Sequence, residues 1–270
     1  MGDKQKVLAE LFRICQERNS FVFDNTLVKQ VCVTVGFGNP FDVTKIDKRS
    51  LLPEVLRNHD YGVVHLGQGR HEFVKGVHNL YHDFEPITYY TDWGYRKSLL
   101  NEYNSSESNI LSVANNQRIL HHFVFGEDTE FDSVDISERP KTYFPHRTKA
   151  DLTYSIGTEQ RLLKGMQIEI DLTIEYRGKI GVFEAKNVKT AADTEGFAIY
   201  QIYHPFLYYY KAKEAFGEQF KEVLGVYVAR HTEGGQTYLR LWSYTFSSPF
   251  DMTSIRLVNS KGYRLIGEQK

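Results

Sequence analysis

The stretch from Gln167 to Asn187 restricts this chain more than any other. Two β-prone runs, around residues 167–176 and 179–185, flank Arg177-Gly178, a pattern that predicts a hairpin within the stretch that ends at Asn187. Side chains alternate across a strand. Glu169 and Asp171 therefore share one face of the first run, and Glu184 and Lys186 share one face of the second. The residues around them, Leu172, Ile174, Ile180, Val182 and Phe183, have the character of buried strands. Carboxylates and an ammonium thus converge in an apolar setting, where charge has to be met by opposite charge or by a metal ion. The plain alternative is a salt-bridged surface hairpin, worth about 0–1 kcal/mol per ion pair.

Periodicity predicts the remaining elements. Val7, Leu8, Leu11, Phe12 and Cys15 mark one stripe of a helix over residues 7–16. Asn25 or Thr26 caps a second helix through Leu27, Val28, Val31 and Cys32, ending near Gly36 and Gly38. A short third helix is expected over residues 47–57, limited by Pro53. A hairpin over 61–66 and 71–76 follows. Three helices and a hairpin are the order of a winged helix-turn-helix, so residues 1–90 read as a small winged-helix-like DNA-recognition domain with Arg70 and Lys75 on the phosphate backbone. A helical subdomain for packing or dimerisation is the alternative. Residues 1–95 hold eleven Lys or Arg against twelve Asp or Glu, a balance that favours neither. His65, His71, His78 and His82 read as packing and hydrogen-bonding residues: His78 and His82 have i, i+4 spacing but lack the intervening Glu and a nearby Cys.

In residues 91–270 the pattern predicts a helix over 106–120, capped by Ser105 or Ser106, then a strand over 150–156 and the hairpin above. A long helix over 194–216 and strands over 223–229 and 237–246 complete it. The fold class expected is α/β, a mixed central sheet flanked by helices. Residues 197–210 hold much of the aromatic excess, 14% of the chain, and read as a helix face packed on that sheet, with base stacking as the sharper alternative.

The charged hairpin has a chemical logic for phosphodiester hydrolysis. Asp171 and Glu184 offer hard oxygens for Mg²⁺, the Ala185 carbonyl can complete the shell, and Lys186 can assist the nucleophile and neutralise developing charge. Asp171 followed across one hairpin by Glu184-Ala185-Lys186 resembles the PD-(D/E)XK nuclease superfamily, in particular its type II restriction endonucleases. Glu107 resembles the acidic residue on the helix before the motif strands. Gln201 and Tyr208 resemble the Gln/Tyr motif of the RecB-like branch. Ile170 stands where the motif has proline, which leaves Glu169 as a supplementary ligand or an alternative to Asp171.

The resemblance, over about residues 95–265, implies a restriction-endonuclease-like sheet and a Mg²⁺-dependent enzyme. It implies cleavage of double-stranded DNA to 5′-phosphate and 3′-hydroxyl ends. Cutting both strands makes a homodimer economical, and a restriction system implies a cognate DNA methyltransferase. The other readings are a RecB-like or junction-specific repair nuclease and a non-catalytic winged-helix regulator. Arg147, Lys149, Asn187 and Lys189 are candidate phosphate contacts. The formal net charge of −1 excludes a wholly basic binder but not local basic patches. Two cysteines, Cys15 and Cys32, argue against a disulfide scaffold, and no apolar run reaches a membrane span, so a cytoplasmic protein is expected.

Overall fold

The computed structural model describes residues 3–95, 106–126, 135–144, 146–192 and 195–267. The chain opens with α1 (Asp3–Glu17), which buries Val7, Leu8, Leu11, Phe12 and Cys15, the five residues of the predicted stripe. A short strand that periodicity does not signal, β1 (Val22–Asp24), leads into α2 (Asn25–Val35). Asp24, one residue before the two expected caps, caps α2. Its extended backbone lets the side chain accept from the Leu27 amide at 2.9 Å, while Gly36 ends the helix in the left-handed conformation. The third helix is much shorter than expected. A single 3-10 turn at Arg49–Leu51 precedes α3 (Glu54–Asn58), because Pro53 cannot continue a hydrogen-bond ladder and sits as the N-cap. β2 (Tyr61–Gly67) and β3 (Arg70–Lys75) form the expected hairpin, and β1 joins it to give the order β1-β3-β2.

After β4 (Tyr81–His82) and β5 (Tyr90–Tyr95), the helix expected over 106–120 is two: α4 (Glu107–Asn116) and α5 (Ile119–Phe125), separated at Arg118, whose φ is +62°. Ser106 caps α4, its Oγ accepting from the Asn109 amide at 3.1 Å; Ser105, the other expected cap, lies outside the described residues. β6 (Lys141–Tyr143), β7 (His146–Ile156), β8 (Glu159–Ile170), β9 (Leu172–Tyr176) and β10 (Lys179–Asn187) follow. The single strand expected over 167–176 is broken at Asp171, with β8 paired to β7 and β9 paired to β10. The helix expected over 194–216 is likewise divided into β11 (Phe197–Ala198), α6 (Tyr200–Lys211) and α7 (Lys213–Phe216); Thr194 lies outside the described residues. The chain closes with β12 (Glu222–Glu233), β13 (Gln236–Phe246) and β14 (Ile255–Gly267).

Among the described residues the main sheet has seven strands in the order β5-β14-β13-β12-β10-β9-β6. It is mixed: β10 runs parallel to β12 and β14 parallel to β5, and the other pairs are antiparallel. Strand alternation sorts the core into layers. Phe183 and Ala185 of β10 face α4 and α5, in a cluster with Ile110, Leu120, Val226 and Leu241. Ile180 and Val182 face the other way, toward Tyr203, Phe206 and Leu207 of α6. The aromatic block of α6 is therefore core on its inner side, with Tyr203 and Phe206 2% exposed or less. The β9–β10 turn needs Gly178, because a Cβ there would run into the Gln219 carbonyl oxygen and φ is +81°.

The N-terminal sheet is built into this body. Val64 and Val74 of its hairpin share a buried cluster with Leu152, Leu163 and Leu207, and Glu72 of β3 pairs with Arg161 of β8 at 2.8 Å. Among the described residues no helix is long and apolar enough to cross a membrane.

Candidate active site

The break at Asp171 assembles a site. Leu172 pairs with Phe183 across β9–β10, so Asp171, one step further, lies beside Glu184 where the β7–β8 arm leaves the main sheet. The Asp171 carboxyl takes a backbone hydrogen bond from Ala185 and lies against the Glu184 carboxyl. Burial is the largest influence on both and raises both pKa values. Glu184 reaches about 8 despite the adjacent Lys186, because the Asp171 and Glu107 carboxylates add to the effect of burial.

Lys186 leaves β10 on the same face as Glu184. Its Nζ lies 3.0 Å from Glu184 Oε1 and 2.8 Å from Oε1 of Glu107, the first residue of α4. Burial works against the ammonium, and the Glu184 and Glu107 carboxylates outweigh it, holding the Lys186 pKa above its ordinary value. Opposite, Gln201 in the first turn of α6 donates from Nε2 to Glu184 Oε1 at 3.0 Å. Its buried Oε1 accepts no hydrogen bond among the described residues.

These side chains line one cleft of about 580 Å³. Its other walls are β8 from Gly165 to Glu169, Lys149 of β7, and a part of the N-terminal region: Lys45, Asp47, His65 and the hairpin tip from Gly67 to His71. His65 and His71 are neutral here. Burial holds them down to about 4 and about 3, and they bond to each other (Nδ1 to Nδ1, 3.1 Å) and to the Thr44 carbonyl and Asn25. Tyr200, one residue before Gln201, donates to Asp47 at 3.3 Å, and the Ala198 amide donates to the Asp47 carbonyl at 2.9 Å. The loop after α2 thereby grips the start of α6.

Of the residues singled out from sequence, Glu107, Asp171, Glu184, Lys186 and Gln201 come together, with Ala185 buried behind them. Glu169 lines the cleft, but it belongs to the β7–β8 arm and is ion-paired with Arg147 at 3.0 Å. Arg70 and Lys149 also line the cleft. Lys75 stands at the opposite end of β3 from Arg70, about 17 Å away along a strand. Asn187 accepts from Arg230 at 3.0 Å, and Lys189 is exposed beyond the end of β10. Tyr208 is two helical turns, about 10 Å, past Gln201 and packs against Tyr209 and the core. Lys45, Asp47, Gln68 and Tyr200 join the cleft without a sequence signal, since each lies in a segment whose neighbours only tertiary packing selects.

A family model described as Domain of unknown function (DUF6997) matches residues 76–264, and a second, described as Domain of unknown function (DUF6996), matches residues 5–73. No curated protein and no solved structure matches the chain.

Proposed function

The chain belongs to the DUF6997 family, and we propose that it is a Mg²⁺-dependent nuclease that hydrolyses phosphodiester bonds in DNA, with the restriction-type duplex endonuclease as the first reading. The observation that carries the proposal is the convergence of Asp171, Glu184, Lys186 and Glu107 in one cleft. A mixed sheet with helices on both faces, and β10 between an antiparallel and a parallel neighbour, supports a restriction-endonuclease-like core. The helix, strand and hairpin order of residues 3–75 supports a winged-helix-like unit, although α3 has only five residues to offer a groove.

The donor set fits a hard cation. Among the described residues no three Asp, Glu, His or Cys side chains are grouped tightly enough to hold an ion alone. The fit rests on Asp171, Glu184 and the Ala185 carbonyl with water completing the shell, which is the usual state of protein-bound Mg²⁺. Asp171 and Glu184 are pushed toward protonation although Lys186 adjoins them, because that one ammonium is shared with Glu107; three carboxylates against one ammonium leave room for a further positive charge. When bound, Mg²⁺ supplies Lewis acidity and a water of lowered pKa. Lys186, held charged by Glu107 and Glu184, supplies a fixed ammonium to the developing phosphoryl charge. Gln201 orients Glu184, and its open Oε1 can accept from a water in the cleft.

Incubation with plasmid and defined duplexes, in Mg²⁺ or EDTA, tests the reading. Discrete metal-dependent fragments that vanish in Glu184→Ala are expected. Cutting restricted to ends or junctions supports the repair-nuclease reading, and binding without cutting in any divalent metal refutes the enzyme.

A further inference from the structure

We infer that the N-terminal region is part of the cleavage cleft itself: Lys45 and Arg70, together with Lys149 of β7, form a clamp for the phosphates of a DNA strand beside Glu184 and Lys186. The inference rests on the nuclease reading and assigns its backbone contacts.

Charge bookkeeping inside the cleft isolates these three side chains. Arg147 is occupied by Glu169, and Lys186 by Glu107 and Glu184. His65 and His71 are neutral by burial. Lys45, Arg70 and Lys149 are exposed cations with no carboxylate at ion-pair distance among the described residues. All three line the same cavity as the acids and Lys186. Unpaired cations around a small cleft attract a polyanion, and their charge is free to neutralise it.

Of the two N-terminal cations, Arg70 is held by a docked hairpin and Lys45 by an anchored loop. Gly67, with φ of +80°, rests on β8 so closely that a Cβ would run into the Lys164 carbonyl oxygen. The ion pair between Glu72 of β3 and Arg161, at 2.8 Å, ties the other strand of the hairpin to β8, with side chains 20% and 14% exposed. On the other side, Asp47 binds the Tyr200 hydroxyl and the Ala198 amide, anchoring the loop that carries Lys45 to the helix of Gln201. The clamp is therefore positioned by the folded body before any substrate arrives.

The test uses the full chain and a fluorescein-labelled 20-mer, single-stranded and duplex, with binding followed by anisotropy in Ca²⁺ over a range of KCl. Each lost phosphate contact lowers the slope of log K against log salt by about 0.7 for a single strand or 0.9 for a duplex. The variant K45A/R70A/K149A should lower it by about two to three and weaken binding at least tenfold. Each single variant should lower it by just under one, and Arg70→Lys should retain it. Lys213→Ala removes the same charge at the start of α7, outside the cleft, and should leave the slope as it is. Wild-type cutting with an unchanged slope in the triple and single variants overturns the clamp and spares the nuclease. An equal fall in K213A overturns it as a net-charge effect. A wild-type chain that neither binds nor cuts overturns both.

Discussion

Acidification should unfold this protein between pH 7 and pH 5, above the range in which ordinary carboxylates titrate. His65, His71, His121 and His204 are all held far below the ordinary value by burial, to about 4, 3, 4 and 3. A depressed folded pKa gives stability that is present above the unfolded value, near 6.5, and is lost as pH falls toward the folded one. Between pH 7 and pH 5 each histidine loses about 1.9 kcal/mol, or about 7.5 kcal/mol for the four. Glu184 acts in the opposite sense. Its folded value of about 8 lies above the ordinary 4.5, so its stabilisation is present at low pH and lost as pH rises. Over the same interval acidification returns about 2.5 kcal/mol through it. The histidines win, and the net loss of about 5 kcal/mol equals the whole stability of a marginal protein. Urea unfolding followed by circular dichroism at pH 7, 6 and 5 measures this. His204→Gln, which keeps an acceptor for the Tyr154 hydroxyl now 2.9 Å from His204, should remove about a quarter of the histidine-driven loss. Equal stability at pH 7 and pH 5, or a variant as acid-sensitive as the wild type, would refute the reasoning.

Three other outcomes follow from single side chains. Lys186→Ala should lower single-turnover cleavage at least 100-fold while oligonucleotide affinity in Ca²⁺ changes only a few-fold, since the ammonium faces developing charge. Gly178→Ala should destabilise by about 2 kcal/mol or more in urea, because it adds strain at positive φ to a clash with the Gln219 carbonyl. Trp242→Ala should lose about 3–5 kcal/mol, as it empties a 1% exposed site and removes the indole donor that binds the Glu85 carbonyl at 2.8 Å; a smaller loss would mean that the cluster around Phe84 and Tyr227 collapses into the gap.

Local pattern carried a large part of this molecule. The buried stripe of α1, the β2–β3 and β9–β10 hairpins, and the shared face of Glu184 and Lys186 are all written in spacings of 3.6 and 2, which survive any tertiary context that buries one face. The proximity of Asp171, Glu184 and Lys186 belongs to the same class, because one tight turn fixes the register between adjacent strands. Elements failed where a single backbone choice overrode periodicity. Arg118 turns left-handed and divides a helix, and Asp171 sits at a bend that hands its chain from one sheet to another. Periodicity treats Glu169 and Asp171 as neighbours on one strand, whereas the bend sends Glu169 to Arg147.

The remainder was decided by packing between segments far apart in sequence. Nothing near Lys45 or Arg70 in the chain indicates that they border Glu184; the docking of Gly67 on β8 and of Asp47 on α6 puts them there. Sequence alone therefore determined that Asp171, Glu184 and Lys186 lie together, because covalent spacing sets what one hairpin presents. Only tertiary structure determined how that chemistry is enclosed, because the walls of the cleft come from elements whose meeting depends on the shared burial of Val64, Val74 and Leu163.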